Sequence, residues 1–409
     1  MCIGATASVR LGIAPTLVAL IAWGAGTSAA QQVRDSSGVR LVRYDARDRP
    51  AAEWRVDSSP MFAVGGGEGE GGASFSNVAG VLRLRDGRVV VGDAGANELR
   101  VFDKAGGFVR TLGRKGRGPG EFDGLFKLVR VADTVGAVDR SGRLQVFAPD
   151  GSLARSVARP AFRVGALSFQ GGYFADWTLL AFGYPEPPDM TRSRILALMT
   201  VGLVSPDGRD QRVIDTLPGV EVVRTGGGPP LPVQFGPQSY LAVAGDRACG
   251  GYPISWEVKC YDRRGRLVSR TVRDVVRAPL PAEARRFYES ETLRAVRSLS
   301  SAQQDQVKEM LRLTQYAPIA PAYGRLVGTG AGELWVAPFD YRAAIMTAVL
   351  HPTGAAPQRW SVLGRDGRWL ADVQLPARFA LLDAGTDYVA GVQRDDDDVE
   401  SVVVYRLRR

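Results

Sequence analysis

The 409-residue chain has one histidine, three cysteines and only five lysines among its 52 cations. Each scarcity removes a class of chemistry. A zinc centre needs several Cys or His ligands, and His351 has no second histidine to work with. The same shortage makes His351 a poor member of a nucleophile–base pair, and no G-x-S-x-G elbow is present to hold a serine. A phosphate-binding loop would end in G-K-[ST] between a strand and a helix, and that signature is also missing.

Charge of one sign is in excess, but it is not clustered. The formal net charge is +9 and the isoelectric point about 9.7. The arginines are spread along the whole chain among 43 acids. A nucleic-acid footprint gathers its cations on one face or element, so solvated surface is expected here and nucleic acid is not an expected partner. With 45% hydrophobic residues and 49 glycines the chain can bury a large core and is not of disordered composition.

The one apolar run long enough to raise the question of a membrane lies at the start. Arg10 precedes Leu11 to Gly26, followed by small residues through Ala30 and then by Gln31 and Gln32. A charged start, a short apolar stretch and a small-x-small end, Ser28 to Ala30, describe a secretory signal peptide over 1–30. Gly12, Pro15 and Gly24 interrupt the run, which is shorter than the ~20 residues of a span. Cys2 precedes the run, so it is not placed for lipid attachment. A periplasmic or secreted mature chain over 31–409, monomeric and without a membrane span, is expected.

Two cysteines then remain. Cys249 and Cys260 flank a segment of hairpin length, and in an oxidising compartment such a pair is expected to form a disulfide. Closing so short a loop contributes roughly 2–3 kcal/mol on the chain-entropy account.

What the sequence has in abundance is a repeated turn. Val101-Phe-Asp-Lys-Ala-Gly106 recurs as Cys260-Tyr-Asp-Arg-Arg-Gly265, with variants around Asp150-Gly151, Asp207-Gly208 and Asp366-Gly367. Aspartate bonds its own turn backbone and glycine accepts positive φ, so these read as hairpin turns. The turn glycines fall at 106, 151, 208, 265 and 367. The intervals suit β-propeller blades of about four strands, the last being lengthened by an insertion. A sixth strand, Ser401 to Arg409, ends the chain and needs a partner from the other end, either Gly38 to Tyr44 or Trp54 to Val56. Joining the termini removes an exposed sheet edge. The fold expected is all-β: a six-bladed β-propeller closed by N- and C-terminal strands, with a helical hairpin insertion.

Within this frame the glycine-rich stretch Gly113 to Phe122 connects blade one to blade two. Its cations Arg114, Lys115 and Arg117 are candidates for a rim that meets an anionic partner, set against ordinary solvated charge. Asp93 and Asp139 end equivalent strands, where turn chemistry itself asks for aspartate. The run Asp395 to Asp398 lies in a charged hairpin loop, and calcium would need six to eight converging oxygens.

The segment Val89 to Phe122 resembles bacterial six-bladed β-propellers of the NHL-repeat-like group, with the specific part of the likeness over 75–162. Many of that group are exported, and their biochemical role is mostly unassigned. The resemblance implies a fold with a central channel, and it transfers no catalytic residue. The chain departs from NHL repeats in blade length and in its insertion.

The insertion spans 281–316. Pro281 and Glu283 suit a first helical turn. Ser300 or Ser301, with a glutamine three residues on, makes a capping box for a second helix. Val307, Met310, Leu311 and Thr314 then mark one face. A lid over the channel, a docking arm and an insertion packed on its own propeller are all open at this level.

The function expected is that of an exported binding or scaffolding propeller for a protein or small-molecule ligand. No catalytic residue is assigned and no cofactor is expected, with calcium left open. The alternative is a calcium-assisted, lactonase-like hydrolase or a lyase, which needs three or more carboxylate or amide groups from different blades at one channel mouth.

Overall fold

Val89-Val-Val-Gly-Asp93 is buried along its whole length, as a strand with sheet on both sides and packing on both faces must be. It pairs antiparallel with Val78–Arg83 on one side and Glu98–Phe102 on the other, and Phe108–Leu112 completes a four-stranded blade I. A computed structural model describes residues 32–409 except 67–73, 132–133, 161–167, 185–190, 226–228, 345–350 and 352–353. The expected signal peptide lies outside the described residues.

The same meander recurs five times. Blade II runs from Leu125–Val131 to Leu153–Val157 and blade III from Ser168–Tyr173 to Gln211–Val223. Blade IV runs from Tyr240–Ala244 to Leu267–Arg273 and blade V from Leu326–Gly328 to Trp369–Leu375. Blade VI has Phe379–Ala384, Tyr388–Arg394 and Glu400–Arg408. Gly106, Gly151, Gly208, Gly265 and Gly367 each turn the third strand of a blade into the fourth, with φ between 71° and 93°. Asp103, Asp150, Asp207, Asp262 and Asp366 accept backbone N–H groups of the same turns. The sequence spacing is thus the blade spacing.

Four N-terminal strands wrap the outside. They are β1 (Gln32–Ser36), β2 (Val39–Tyr44), β3 (Ala52–Val56) and β4 (Phe62–Gly65). β4 is the fourth strand of blade VI, pairing Phe62–Gly65 with Ser401–Val404. Of the two partners expected for the C-terminal strand, β3 reaches it only at Arg55↔Arg408 and Val56↔Leu407. β2 does not reach it. It lies parallel to the outer strand of blade IV, from Arg40↔Ser269 to Tyr44↔Arg273. β3 does the same on blade V. The true closing strand is four residues long and carries no turn signature, so periodicity does not reveal it.

Apolar side chains fill each gap between neighbouring blades. Val91 and Phe102 of blade I meet Val392 and Val404 of blade VI. Leu99 and Val101 meet Leu128 and Phe147 of blade II. The series continues through II–III, III–IV, IV–V and V–VI. The packing therefore closes into a ring, and the chain is a six-bladed β-propeller.

Two helices sit between blades IV and V: α1 (Ala282–Ala295) and α2 (Ser301–Leu313). Ser300 caps α2, and Gln303 returns the bond to its backbone N–H. Only Ala284 and Leu311 of the helices are buried. Their base rests on an aromatic cluster in which Phe235 meets Tyr288, Tyr316, Phe339 and Tyr341 at 6.0–6.4 Å. Among the described residues no helix is long and apolar enough to cross a membrane.

Candidate functional site at the upper mouth of the channel

The six inner strands surround the axis. Because strands within a blade alternate in direction, blade connections and the loops between second and third strands leave on one face, the upper one. Hairpin turns leave on the lower face.

The loop between the second and third strands of blade V, residues 337–357, is the long one, and it carries His351. His351 Nε2 lies 3.3 Å from the carbonyl oxygen of Ala79, on the inner strand of blade I. Arg394 of blade VI donates to the His351 carbonyl at 2.5 Å and to Glu400 Oε1 at 2.5 Å. Glu400 Oε2 in turn accepts from Val78 N at 2.8 Å. These four contacts pin a blade V loop to blades VI and I at the upper mouth.

Lys127, near the start of the blade II inner strand, and Arg325, just ahead of the blade V inner strand, are partly accessible. Even so, burial pushes the Lys127 ammonium down to about 8 and the Arg325 guanidinium down to about 10. A group that water reaches while protein surrounds it is what a channel wall provides. Arg325 donates to the Leu381 carbonyl at 2.7 Å and lies over the Trp360 ring. Burial, with the positive charges of Arg325, Arg394 and Lys127, pushes His351 down to about 3. Tyr240 opens the inner strand of blade IV; its hydroxyl accepts from Gln238 Nε2 at 3.4 Å, and burial raises its pKa.

At the lower mouth Asp383 Oδ2 accepts from Arg130 at 2.5 Å, from the Tyr388 hydroxyl at 2.8 Å and from Arg83 N at 3.0 Å. Burial raises the Asp383 pKa against the pull of Arg130. Blades VI, I and II are joined there.

The residues singled out in the sequence lie elsewhere. Arg114 pairs with Glu121 and Arg117 with Asp123, each at 2.9 Å and each within its own connector. Lys115 is exposed on the same loop. That loop is a folded unit. Arg143 donates to the carbonyls of Gly116 and Glu121, and a side chain at Gly113 would collide with the Phe122 ring. Among the described contacts none joins these three cations to the channel groups. Cys249 and Cys260 face each other across the second and third strands of blade IV and are bridged. Asp93 accepts from Ala96 N and pairs with Arg100. Asp139 accepts from Arg143 N and the Ser141 hydroxyl, so both aspartates cap turns. Asp395 accepts from Asp397 N and Val399 N in its hairpin loop. Among the described residues no group of three or more His, Cys, Asp or Glu side chains stands close enough together to hold a metal.

Lys127, Arg325, Tyr240, Arg394 and Glu400 carry no motif. They come from four different blades, and only the fold brings them together. His351 was visible as the sole histidine, but not its seat across the channel.

The fold class is matched by comparison. The sequence model of a family described as a 6-bladed beta-propeller, DUF5128, matches residues 75–128. No curated protein matches the chain. Among solved structures it is similar to a putative exported protein from Bacteroides fragilis, at 12% identity and a TM-score of 0.45, over 90% of this chain and 99% of that one. It is similar to a member of the DUF4221 family from Bacteroides vulgatus, at 10% identity and 0.47, over 88% and 99%. It is also similar to virginiamycin B lyase from Staphylococcus aureus, at 9% identity and 0.38, over 87% and 100%.

Proposed function

We propose that this is an exported binding propeller whose ligand enters the upper mouth of the channel. One observation carries the reading: His351 of blade V is seated on Ala79 of blade I and Arg394 of blade VI, close to Lys127 of blade II and to Arg325, which in turn lies near Tyr240 of blade IV. Polar groups converging in a concavity are the usual mark of a ligand site. Export is supported by the signal-peptide pattern before Gln31 and by the Cys249–Cys260 bridge.

The test is a thermal melt of residues 31–409 with calcium, with EDTA, and with panels of organic acids, sugars, lactones and peptides. A ligand that binds the native state raises the midpoint by mass action. The expected result is a rise that Tyr240→Ala abolishes while the unliganded variant still melts cooperatively. A rise with calcium alone would turn the reading toward the metal-assisted hydrolase. A rise with peptides that Tyr240→Ala leaves intact would move the ligand face to α1 and α2.

A further inference from the structure

Blades IV and V each carry an added parallel strand on their outer edge, and both additions follow one rule. The outer strand has a one-residue bulge just after its turn, and the added strand begins opposite the next residue. Arg40 stands opposite Ser269 on blade IV, and Ala52 opposite Ala371 on blade V. Two residues on, the added strand turns an apolar side chain into the gap before the following blade: Val42 between IV and V, Trp54 between V and VI.

The same bulge occurs in the outer strands of blades I and II, at Val109 and Ala154. The residues after it are Arg110 and Arg155, both exposed, where blades IV and V have the buried Ser269 and Ala371. Among the described residues no strand pairs with either edge. Arg110 and Leu112 face blade II, because they stand opposite Val101 and Leu99 of the core between blades I and II. Arg155 and Val157 face blade III in the same way. Shallow apolar clefts lie at these two gaps. Leu112, Phe147 and Pro149 line one, and Val157, Pro160 and Trp177 line the other. Arg110 donates to the Asp150 carbonyl at 2.5 Å, which holds its guanidinium beside the edge with donors to spare. Blade III departs from the pattern: Asp215 fills the equivalent position and is bound to Tyr261 and Lys259 of blade IV.

We propose that the outer strands of blades I and II dock an extended segment of a partner protein, added parallel as β2 and β3 are. The segment carries an acidic residue opposite Arg110 or Arg155 and an apolar residue two positions later, over the cleft. This surface is separate from the channel mouth. Main-chain pairing supplies the affinity, and alternate side chains supply the selectivity. An unpaired edge is a template for such pairing, and a charge on it favours a strand of opposite charge.

The experiment titrates residues 31–409 at low salt with a fluorescent peptide, Thr-Glu-Thr-Val-Thr-Val, and with the same peptide carrying lysine for glutamate. Anisotropy reads affinity, and amide hydrogen exchange with and without peptide reads the place. Saturable binding of the glutamate peptide is expected, with exchange slowed in Phe108–Leu112 and Leu153–Val157. The lysine peptide should bind about tenfold more weakly or not at all. Arg110→Thr with Arg155→Thr should weaken the glutamate peptide about fivefold. Arg209→Gln, which removes one positive charge from an exposed turn of blade III, should stay near wild type. Thermal melts confirm folding of the variants, and the two peptides on the wild-type chain test the charge rule without any variant. No binding, or slowed exchange confined to α1, α2 or the channel mouth, overturns the proposal. So does equal binding of the two peptides, or a loss as large in Arg209→Gln. If the double arginine variant binds the peptide undiminished and instead self-associates, the arginines guard the edges against pairing and the proposal fails.

Discussion

His351 Nε2 donates to the Ala79 carbonyl at 3.3 Å, tying a loop of blade V to the inner strand of blade I across the channel. The bond needs the proton on Nε2, and burial with the nearby Arg325, Arg394 and Lys127 keeps the ring neutral although the carbonyl itself favours the charged form. The folded state holds this site near 3 against 6.5 when unfolded, so between those values the unfolded chain binds the extra proton. Stability from this residue is complete above pH 6.5 and is lost as pH falls toward 3. Urea midpoints between pH 3.5 and 7 should fall more steeply for wild type than for His351→Asn. Parallel curves would show that the imidazole does not titrate with unfolding.

Closure of the ring is the second prediction. Glu400–Arg408 pairs with Tyr388–Arg394 on one side and with β4 on the other, and its Val402 and Val404 fill the gap between blades VI and I. Removing residues 401–409 exposes two strand edges and one interblade core at once. The truncated chain should lose its cooperative thermal transition. A melt like that of wild type would show that the ring does not depend on this strand.

Much of this architecture was legible before any coordinates. Turns of Asp and Gly report on local backbone, and five of them at blade spacing, with the terminal strand Ser401 to Arg409 as a sixth, gave the number of blades, because a turn's chemistry resides in three or four adjacent residues. The capping box at Ser300 was legible for the same reason. β4 was not, because four residues ending in glycine have no period to detect. The channel groups were hidden for a different reason. Lys127 and Arg325 are separated by 198 positions, and it is the arrangement of the blades that brings both near His351. The exposed cations Arg114, Lys115 and Arg117 were the conspicuous ones because they are adjacent in sequence, and two of them are paired within their own loop.

The Cys249–Cys260 bridge joins directly opposed residues of neighbouring strands whose side chains face the core between blades IV and V. Its loop is short, so reduction should lower stability by roughly 2–3 kcal/mol and leave the fold intact. Denaturant melts with and without reductant measure this, and a non-reduced digest shows whether the two cysteines travel together. Two free thiols in protein recovered from an oxidising compartment would refute the bridge.

At the lower mouth Arg130 and Asp383 hold three blades together with Tyr388 and Arg83 N. Asp383→Asn keeps the shape but leaves Arg130 without its carboxylate. Removing one partner of a shielded pair is costly, and a loss of about 2–3 kcal/mol is expected, discounted because Arg130 is partly accessible. Asp383→Leu with Arg130→Met should lose less than the two single changes combined, since neither charge is then stranded. A strictly additive double-mutant cycle would show that the two residues do not interact energetically.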